Sequence, residues 1–448
     1  MQAFGIDNVI IVSGNFGYEP FRGSVVVRGD RIAEVRRDSA SSGERSPGER
    51  SPDGCAEWID GGGKILMPGL VNCHCHGDMT LARGLGDDMT LLEQIGAYRA
   101  HNWFQSFITD DDRFRARQLA YCESLLAGCT FICENMYWGL GARSIAAMGE
   151  IGIKGALVED VRHDFSDSAS LVPNDVLREF SSSCRAARIV PVVGLPAEED
   201  WETEALRKIF AKLDGIDALQ TMHLAENDWR VEIVRKKYGM RPIEYLARNG
   251  FLHDRFIGSH VVFADKAEVA SLKSAGAKVA NTPLCEMKIA DGIAPVPEMV
   301  AQGIAVGLGT DGALWNNSND IFREMKGMSL LHTVNGGIRS LSKNSILDMA
   351  TTGGAAVFGM ETEIGMIKEG MKADMILIDA GKPHLQPLML GKNQNVTSAI
   401  VYGATGGDVT DVFVDGKRLV KDGALVGADV GALIARVRET AEKIASEI

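Results

Sequence analysis

Four histidines and two acidic residues could carry out chemistry together, because each lies at or just beyond the end of a short apolar segment. They are His74, His76, His223, Glu226, His260 and Asp311. Three imidazoles and one carboxylate suit Zn²⁺ or Fe²⁺ and leave a coordination position for water. A bound cation lowers the pKa of that water, and a nearby carboxylate can move protons. The set therefore indicates metal-assisted hydrolysis.

Two cysteines alternate with the first histidine pair and offer a second choice of ligands. On an extended segment successive side chains face opposite sides, so either Cys73 and Cys75 or His74 and His76 can face one site. Histidine is the commoner ligand of an open catalytic site, and cysteine-rich sets are typical of closed structural ones. We therefore favour the histidine pair.

Each candidate also has a purely structural interpretation. A histidine beside an apolar strand is usually a core or surface residue, and Asp311 before Gly312 could simply occupy a turn. However, all the candidates occur at the same end of their apolar segments. His223 and His260 are about one strand–helix unit apart, and His260 and Asp311 are about two such units apart. This coincidence favours a functional site.

The elements that must position these residues are predicted from about Ile65 to Gly359, where short apolar runs alternate with amphipathic helices. Such alternation predicts βα units and a parallel sheet. Eight strands separated by helices favour a (β/α)8 TIM barrel over a doubly wound sheet, with catalytic groups at the carboxyl ends of the strands. The predicted strands are Leu66–Cys73, Cys129–Met136, Lys154–Val161, Arg188–Gly194, Leu219–Ala225, Phe256–Phe263, Lys278–Thr282 and Ala305–Thr310.

Strand-like runs also occur at both chain ends, among them Asp374–Ile378 and Ser398–Tyr402. We predict that residues 1–66 and 365–448 form one small β-sandwich domain and that residues 67–364 form the barrel. The segment Ser42–Pro52 repeats Gly-Glu-Arg-Ser-Pro imperfectly and is predicted to be a surface loop. A final helix is predicted over Val430–Ile448.

Composition limits the partners of this chain. Its 448 residues carry a formal net charge of −13, which argues against nucleic acid because no basic face is available to displace phosphate counterions. No run approaches the roughly 18 apolar residues of a membrane span, and the N-terminus lacks the basic start of a signal peptide. We therefore expect a cytoplasmic protein that acts on a small molecule. The sequence leaves open whether it forms a homo-oligomer.

An ordered series of motifs resembles the amidohydrolase superfamily, and within it the S-adenosylhomocysteine/methylthioadenosine deaminases and the related triazine hydrolases. The resemblance covers nearly the whole chain, and the ordered set is specific although each piece alone is weak. The motifs are Pro68-Gly-Leu-Val-Asn-Cys-His-Cys-His76, Met79-Thr-Leu-Ala-Arg-Gly-Leu-Gly-Asp-Asp88, His223-Leu-Ala-Glu226, Ser259-His260, Gly292-Ile-Ala-Pro-Val-Pro297, Gly307-Leu-Gly-Thr-Asp-Gly312, Asn316-Asn317, Gly365-Met-Ile-Lys-Glu-Gly370, Ala373-Asp374 and Val414-Asp-Gly416.

This resemblance implies one divalent metal ion, with Zn²⁺ favoured and Fe²⁺ as the alternative. The implied ligands are His74, His76, His223 and Asp311. It also implies that Glu226 is the proton shuttle, that His260 orients the attacked group, and that Asp311 takes the proton of water. Binuclear relatives use a carboxylated lysine on the fourth strand, and Arg188–Gly194 contains no lysine.

Departures from the family pattern bear on the substrate. Where the deaminases have His-Asn-Pro-x-Ser-Asn, this chain has Asn281-Thr-Pro-Leu-Cys-Glu286, and Gly194-Leu-Pro-Ala-Glu198 lacks their fourth-strand histidine. Trp315 occupies a position where smaller residues are common. Glu93 matches the acidic residue that contacts ribose hydroxyls in the family, but it could equally be a plain carboxylate on a helix face.

We therefore predict contacts to substrate from Glu93, His260, Glu286 and Trp315. The acids Asp78, Glu134, Glu198 and Glu286 could favour an amino-rich or cationic ring, or they could simply be solvated.

The predicted function is hydrolytic deamination of an amino-substituted nitrogen heterocycle, first of all an adenosine-type nucleoside such as S-adenosylhomocysteine, methylthioadenosine or adenosine. The alternative within the fold is an aminotriazine or chlorotriazine hydrolase. The alternative of another class is a non-catalytic scaffold, which the complete ligand set and Glu226 disfavour.

Overall fold

The computed structural model describes residues 3–14, 19–38, 55–98, 106–135, 141–162 and 170–447. Contacts between residues divide the chain into two units. The first comprises Met1–Val71, Glu123–Phe131 and Asp320–Ala428, and the second comprises Asn72–Cys122, Ile132–Asn319 and Asp429–Ile448. The predicted loop Ser42–Pro52 lies outside the described residues.

The first unit is built on a sheet of nine strands to which both chain ends contribute, in the order β18-β17-β16-β15-β5-β1-β2-β3, with β4 beside β1. Antiparallel pairing of β5 with β15, in which Met67 lies opposite Ile376, joins the two ends. Alternate strand residues such as Ile6, Val25 and Leu377 are buried in one apolar cluster. A small β domain formed from both chain ends is thus confirmed. Its strands are β1 (Phe4–Ile11), β2 (Phe21–Arg28), β3 (Arg31–Arg37), β4 (Glu57–Asp60), β5 (Ile65–Pro68), β15 (Met375–Ile378), β16 (Val409–Val414), β17 (Lys417–Lys421) and β18 (Ala424–Leu425).

The second sheet closes on itself and forms the predicted barrel. Its strands follow one another in chain order, and the neighbours from Lys154–Asp160 to Val306–Leu308 pair in parallel. The last βα unit supplies two short strands, of which β13 pairs with β12 and β14 pairs with β6. The (β/α)8 barrel is therefore confirmed. Its strands are β6 (Leu70–His76), β7 (Cys129–Asn135), β8 (Lys154–Asp160), β9 (Val190–Gly194), β10 (Leu219–Leu224), β11 (Phe256–His260), β12 (Lys278–Asn281), β13 (Val306–Leu308) and β14 (Asp311–Gly312).

Helices connect the strands, and polar side chains cap the first turns of two of them. Thr109 and Asp112 exchange side chain–backbone hydrogen bonds of 2.9 and 3.1 Å at the start of the helix Asp110–Leu126, and Asp265 forms a capping box at the start of the helix Lys266–Ala275. No helix in the described part of the chain is long and apolar enough to cross a membrane. The helices are α1 (Leu91–Tyr98), α2 (Asp110–Leu126), α3 (Gly141–Ile151), α4 (Asn174–Ala186), α5 (Thr203–Leu213), α6 (Asp228–Tyr238), α7 (Pro242–Arg248), α8 (Lys266–Ala275), α9 (Pro283–Lys288), α10 (Val296–Ala301), α11 (Ala313–Asn316), α12 (Ile321–Gly336), α13 (Lys343–Ala350), α14 (Thr352–Val357), α15 (Val396–Ser398) and α16 (Val430–Glu447).

Two strand predictions differ from the structure. The predicted strand Leu66–Cys73 is two strands in different sheets, β5 and β6, separated at Gly69. The predicted strand Ser398–Tyr402 is helical, because its apolar residues are buried on one side of a turn over Ala399–Gly403. Short apolar runs do not distinguish a strand from a buried helix.

The final helix groups with the second unit, whereas the predicted boundaries placed it with the β domain. Val437 and Ile444 of α16 pack in a cluster with Met79 and Leu314, and the Thr440 hydroxyl donates a hydrogen bond to Asp112 over 2.7 Å. The apolar face of α16 is therefore covered by elements that follow the barrel strands.

Closure of the barrel depends on a close approach at Gly309, between β13 and β14. A Cβ at this position would lie 2.8–2.9 Å from the Cβ and the backbone N and O of His74. We predict that Gly309→Ala lowers the free energy of unfolding by about 1–3 kcal/mol, as overpacking usually does. Gly149→Ala is the control, because its Cβ would meet no atom within 4 Å and alanine favours helix α3 by about 0.5–1 kcal/mol. Thermal unfolding followed by circular dichroism would measure both, and equal melting temperatures would contradict the prediction.

Candidate metal centre and active site

Three of the predicted histidine ligands surround one point at the carboxyl ends of the strands. The ring centroid of His74 lies 5.0 Å from those of His76 and His223, and the His76 and His223 rings lie 5.6 Å apart. Asp311 Oδ1 lies 3.5 Å from His76 Nε2 and 3.6 Å from His74 Nε2. The structure thus brings the four predicted ligands together.

The backbone turns sharply at the residues that bring these groups together. Ala225, His260 and Asp311 have φ values of 47°, 67° and 59°, in the left-handed region that non-glycine residues rarely adopt. Each lies at or next to the end of a barrel strand. Residues held in this conformation cluster at functional sites, where the surrounding structure compensates for their cost.

Hydrogen bonds behind His74 fix the orientation of its ring. The Ser259 hydroxyl lies 3.1 Å and the Asn135 amide 3.0 Å from His74 Nδ1. Both groups hold Nδ1, so that Nε2 is the ring nitrogen that faces Asp311. Supporting contacts of this kind orient metal ligands in proteins.

The protonation states of the four groups fit a divalent cation. Burial lowers the pKa of His76 to about 4, and burial likewise lowers the pKa values of His74 and His223. Burial alone would raise the pKa of Asp311, but the neighbouring histidines, His74 first of all, lower it. The imidazoles are therefore neutral and the carboxylate is ionised, as metal binding requires. Among the described residues, His74 Nε2 is also a buried nitrogen without a hydrogen-bond partner.

His260 lies beside His74 and His223, but carboxylates surround it. Burial alone would lower its pKa, yet the carboxylates of Glu226, Glu286 and Asp311 raise the pKa to about 10. Its Nδ1 contacts the Thr282 hydroxyl at 2.9 Å, and its Nε2 lies 3.8 Å from Glu226 Oε1. The carboxylates around His260 therefore favour its protonated form, which suits a hydrogen-bond donor.

Glu226 is held between His260 and an arginine that sequence reasoning missed. Arg230 Nη1 donates to Glu226 Oε2, while Arg230 Nε and Nη2 each donate to Glu199 over 2.8 Å. Arg230 is buried, and these carboxylates raise its pKa against the effect of burial. The spacing of four residues between Glu226 and Arg230 was the available signal.

Two of the predicted substrate contacts lie close to this centre. The half-buried Trp315 ring stands edge-on to His76, with the centroids 5.3 Å apart. Glu286 Oε1 lies 3.7 Å from His260 Nδ1 and accepts hydrogen bonds from Asn281 Nδ2 at 2.7 Å and the Thr282 backbone at 3.1 Å. Glu286 therefore positions His260. The ring of Trp315 lies beside His76, one of the predicted metal ligands.

Two other predicted acids bind backbone groups. Glu93 is exposed, and its Oε2 accepts hydrogen bonds of 2.8 Å from the backbone and hydroxyl of Thr90, which caps α1. Glu198 is buried and accepts a hydrogen bond from the backbone N–H of Ala225. These contacts give both residues a structural role, and a contact of Glu93 with substrate stays a prediction.

Asp78 and Glu134 belong to a buried ionic network directly after His76. Arg117 donates to Asp78 over 3.0 Å and to Glu134 over 3.1 Å, and Arg113 donates to Asp78 over 3.3 Å. Glu134 also accepts a hydrogen bond of 3.0 Å from the Gly77 backbone. The network fixes the backbone segment that follows His76.

Comparison with known protein families gives a match over most of the chain. The pattern of the amidohydrolase family matches residues 65–419. A 5'-deoxyadenosine deaminase of Methanopyrus kandleri is 36% identical over 403 residues, covering 88% of this chain and 90% of that protein. A 5-methylthioadenosine/S-adenosylhomocysteine deaminase of Desulforudis audaxviator is 32% identical over 444 residues, covering 98% of each.

Solved structures agree with this match. An adenosine deaminase from Xanthomonas campestris with bound zinc is 26% identical, with a TM-score of 0.88 over 99% of this chain and 98% of that chain. An atrazine chlorohydrolase from Arthrobacter aurescens, also complexed with zinc, is 20% identical with a TM-score of 0.84, covering 98% of this chain and 100% of that chain. At this identity the second likeness shows the fold alone.

The cluster predicts how metal binding responds to the loss of one ligand. Tetrahedral sites lose affinity steeply when a ligand is removed, so His223→Ala should be purified with far less than one metal ion per chain. His253→Ala is the matched control, because His253 lies away from the cluster and contacts Gln220 at 3.1 Å. Elemental analysis would measure both variants. Full occupancy in His223→Ala would remove His223 from the ligand set.

Proposed function

The chain belongs to the amidohydrolase family, and we propose that it is a metal-dependent hydrolytic deaminase of an amino-substituted nitrogen heterocycle, first of all an adenosine-type nucleoside. The observation that carries the proposal is the convergence of His74, His76, His223 and Asp311 beside Glu226 and His260. Relatives named as 5'-deoxyadenosine and 5-methylthioadenosine/S-adenosylhomocysteine deaminases, similar over most of the chain, support the same reaction.

His74, His76, His223 and Asp311 would hold one divalent ion. Imidazole and carboxylate ligands suit Zn²⁺, which we favour, and also Fe²⁺. When bound, the ion supplies an activated water as nucleophile at neutral pH. Strand β9 offers no lysine for a second ion.

Glu226 acts as the proton shuttle of the reaction. A proton moves through its carboxylate to the ring nitrogen next to the attacked carbon, and a second proton then moves to the leaving amine. The water oxygen forms a bond to that carbon, the carbon–nitrogen bond breaks, and ammonia and a ring carbonyl are the products. Arg230, held by Glu199, keeps the Glu226 carboxylate in one position.

His260 and Asp311 act beside Glu226, the first on the group being attacked and the second on the attacking water. Protonated His260 donates a hydrogen bond from Nε2 to the group being attacked, and its Nδ1 stays fixed by Thr282 and Glu286. Asp311, ionised despite its burial, takes the proton of the attacking water. Cationic donors and ionised acceptors placed in a buried site stabilise developing charge most strongly.

The substrate ring binds beside Trp315, which offers an aromatic wall next to His76. The indole Nε1 is buried without a hydrogen-bond partner among the described residues, so it is available to a ring acceptor. Glu93 would contact a ribose hydroxyl. Glu286 acts indirectly, because it positions His260.

The second candidate function is hydrolysis of an aminotriazine or chlorotriazine with the same ligands and a different leaving group. Trp315, which lies beside His76 and departs from the deaminase pattern, is the observation that favours it. A third candidate, a non-catalytic scaffold, is disfavoured. A scaffold needs neither the complete ligand set nor the buried Glu226.

An ammonia-release screen of the purified, metal-loaded protein tests the proposal. The panel comprises purines, purine nucleosides, pterins and triazines, each followed by ultraviolet absorbance and by released ammonia. We expect the highest kcat/KM for adenosine-type nucleosides. Turnover of triazines alone would favour the second candidate, and absence of turnover across the panel would overturn hydrolytic deamination.

A single substitution separates chemistry from metal binding. Glu226→Gln keeps the shape of the side chain but cannot transfer a proton, so kcat should fall by roughly 10²- to 10⁴-fold while metal content stays near one per chain. Glu232→Gln on α6 is the control and should keep its activity, because Glu232 pairs with nearby Arg235 at the surface. Near-normal turnover by Glu226→Gln would assign the proton transfer to another group.

A further inference from the structure

Cys285 forms a hydrogen bond with Asp311, one of the four predicted metal ligands. Its Sγ–H donates to Asp311 Oδ2 over 2.9 Å, and the cysteine is fully buried in helix α9. Leu91 and Ile289 share an apolar cluster with Cys285, and the ring of Trp315 packs against that cluster. A hydrogen bond is stronger in apolar surroundings than in water, so the weak thiol donor contributes here.

The two carboxylate oxygens of Asp311 have different neighbours. Oδ1 lies 3.5 Å from His76 Nε2 and 3.6 Å from His74 Nε2, and it accepts a hydrogen bond of 2.7 Å from the backbone N–H of Gly312. Oδ2 accepts the hydrogen bond of Cys285. These contacts direct Oδ1 towards the two histidines and Oδ2 towards helix α9.

Helix α9 reaches both of the groups that act beside Glu226 in the proposed reaction. Cys285 contacts Asp311. The next residue, Glu286, has its Oε1 3.7 Å from His260 Nδ1. Consecutive side chains of a helix point in directions about 100° apart, so two neighbouring residues of α9 hold two different groups. One short helix thus contacts both the proposed proton acceptor and the proposed hydrogen-bond donor.

We propose that Cys285 is a positioning residue for Asp311, and that its thiol holds Oδ2 so that Oδ1 stays directed at the metal site. The inference rests on the proposed function, in which Asp311 is a metal ligand. Rotation of the carboxylate would change which oxygen faces the ion, and the hydrogen bond from Cys285 opposes that rotation. A carboxylate oxygen has two lone pairs, so Oδ2 keeps a second one for the proton of the attacking water.

The zinc affinity of the full-length protein tests the inference with two substitutions at one position. Cys285→Ala removes the donor, whereas Cys285→Ser keeps a donor at similar size. We expect the dissociation constant of zinc to rise by roughly 10- to 100-fold in Cys285→Ala, as loss of a group that supports a ligand usually causes, and to stay near the parent value in Cys285→Ser. Cys184→Ala is the matched control, since it removes an equally buried thiol from helix α4. Thermal unfolding identifies a variant that has lost its fold.

The infrared S–H stretching band tests the hydrogen bond itself and requires neither zinc nor turnover. Thiols absorb in a region that holds no other protein band, and a stronger hydrogen bond lowers the wavenumber of the S–H stretch. An ionised acceptor strengthens a hydrogen bond, so the band lost in Cys285→Ser should lie below the band lost in Cys184→Ala. In Asp311→Asn the Cys285 band should move to a higher wavenumber, because a neutral amide is a weaker acceptor than a carboxylate.

These measurements keep the inference distinguishable from the deaminase proposal. If no compound of the panel is deaminated but Cys285→Ala loses zinc affinity and the lowered S–H band is present, the deaminase proposal fails and the inference stands. Deamination by a protein whose zinc affinity is unchanged in Cys285→Ala overturns the inference alone. Equal losses of affinity in Cys285→Ala and Cys285→Ser would assign the effect to packing and overturn it as well. If neither Cys285 variant folds, an S–H spectrum that Asp311→Asn leaves unchanged overturns it.

Discussion

The arrangement of this site depends on the burial of the Asp311 carboxylate against imidazoles that are themselves too deeply buried to be protonated. Asp311 Oδ1 lies about equally far from the Nε2 atoms of His74 and His76, at 3.6 and 3.5 Å. A buried ionised carboxylate is costly unless a cation lies beside it, and the neutral imidazoles of His74 and His76, which lie within 3.6 Å of it, supply no positive charge. A divalent ion satisfies the carboxylate and the nitrogen lone pairs together, so the ligand geometry and the ion stabilise each other.

The register of strand pairing brings Asp311 and the histidines together. Asp311 pairs with Cys75 and Gly312 with His76 across the closing edge of the barrel, which sets the carboxylate between the first two histidines. His223 lies opposite Ser259, whose hydroxyl in turn contacts His74. A shift of one residue in either pairing would turn the ligand to the other face of its strand. The strand pairings that close the barrel therefore also bring the residues of the site together.

The sequence allowed the strands, the barrel and the clustering of His74, His76, His223 and Asp311 to be predicted, because alternation and strand ends are local signals. The positive φ of His260, the arginine beside Glu226 and the use of Glu286 behind His260 could not be predicted. They depend on which elements meet in space. The strand predicted over residues 398–402 was wrong for a related reason. A short apolar run does not show whether it pairs with another strand or packs as a buried helix.

One residue type performs two tasks in this centre, and the neighbouring carboxylates decide which. His76 and His223 are surrounded by other imidazoles and stay neutral, which suits them to bind a cation. His260 is equally buried but lies between Glu226 and Glu286, and it keeps its proton as a donor. Titratable groups whose environments push their pKa values apart mark separate roles in a mechanism. The acids of this chain therefore act beyond their own contacts, because they separate the neutral histidines, which we propose hold the ion, from His260, which we propose donates to the substrate.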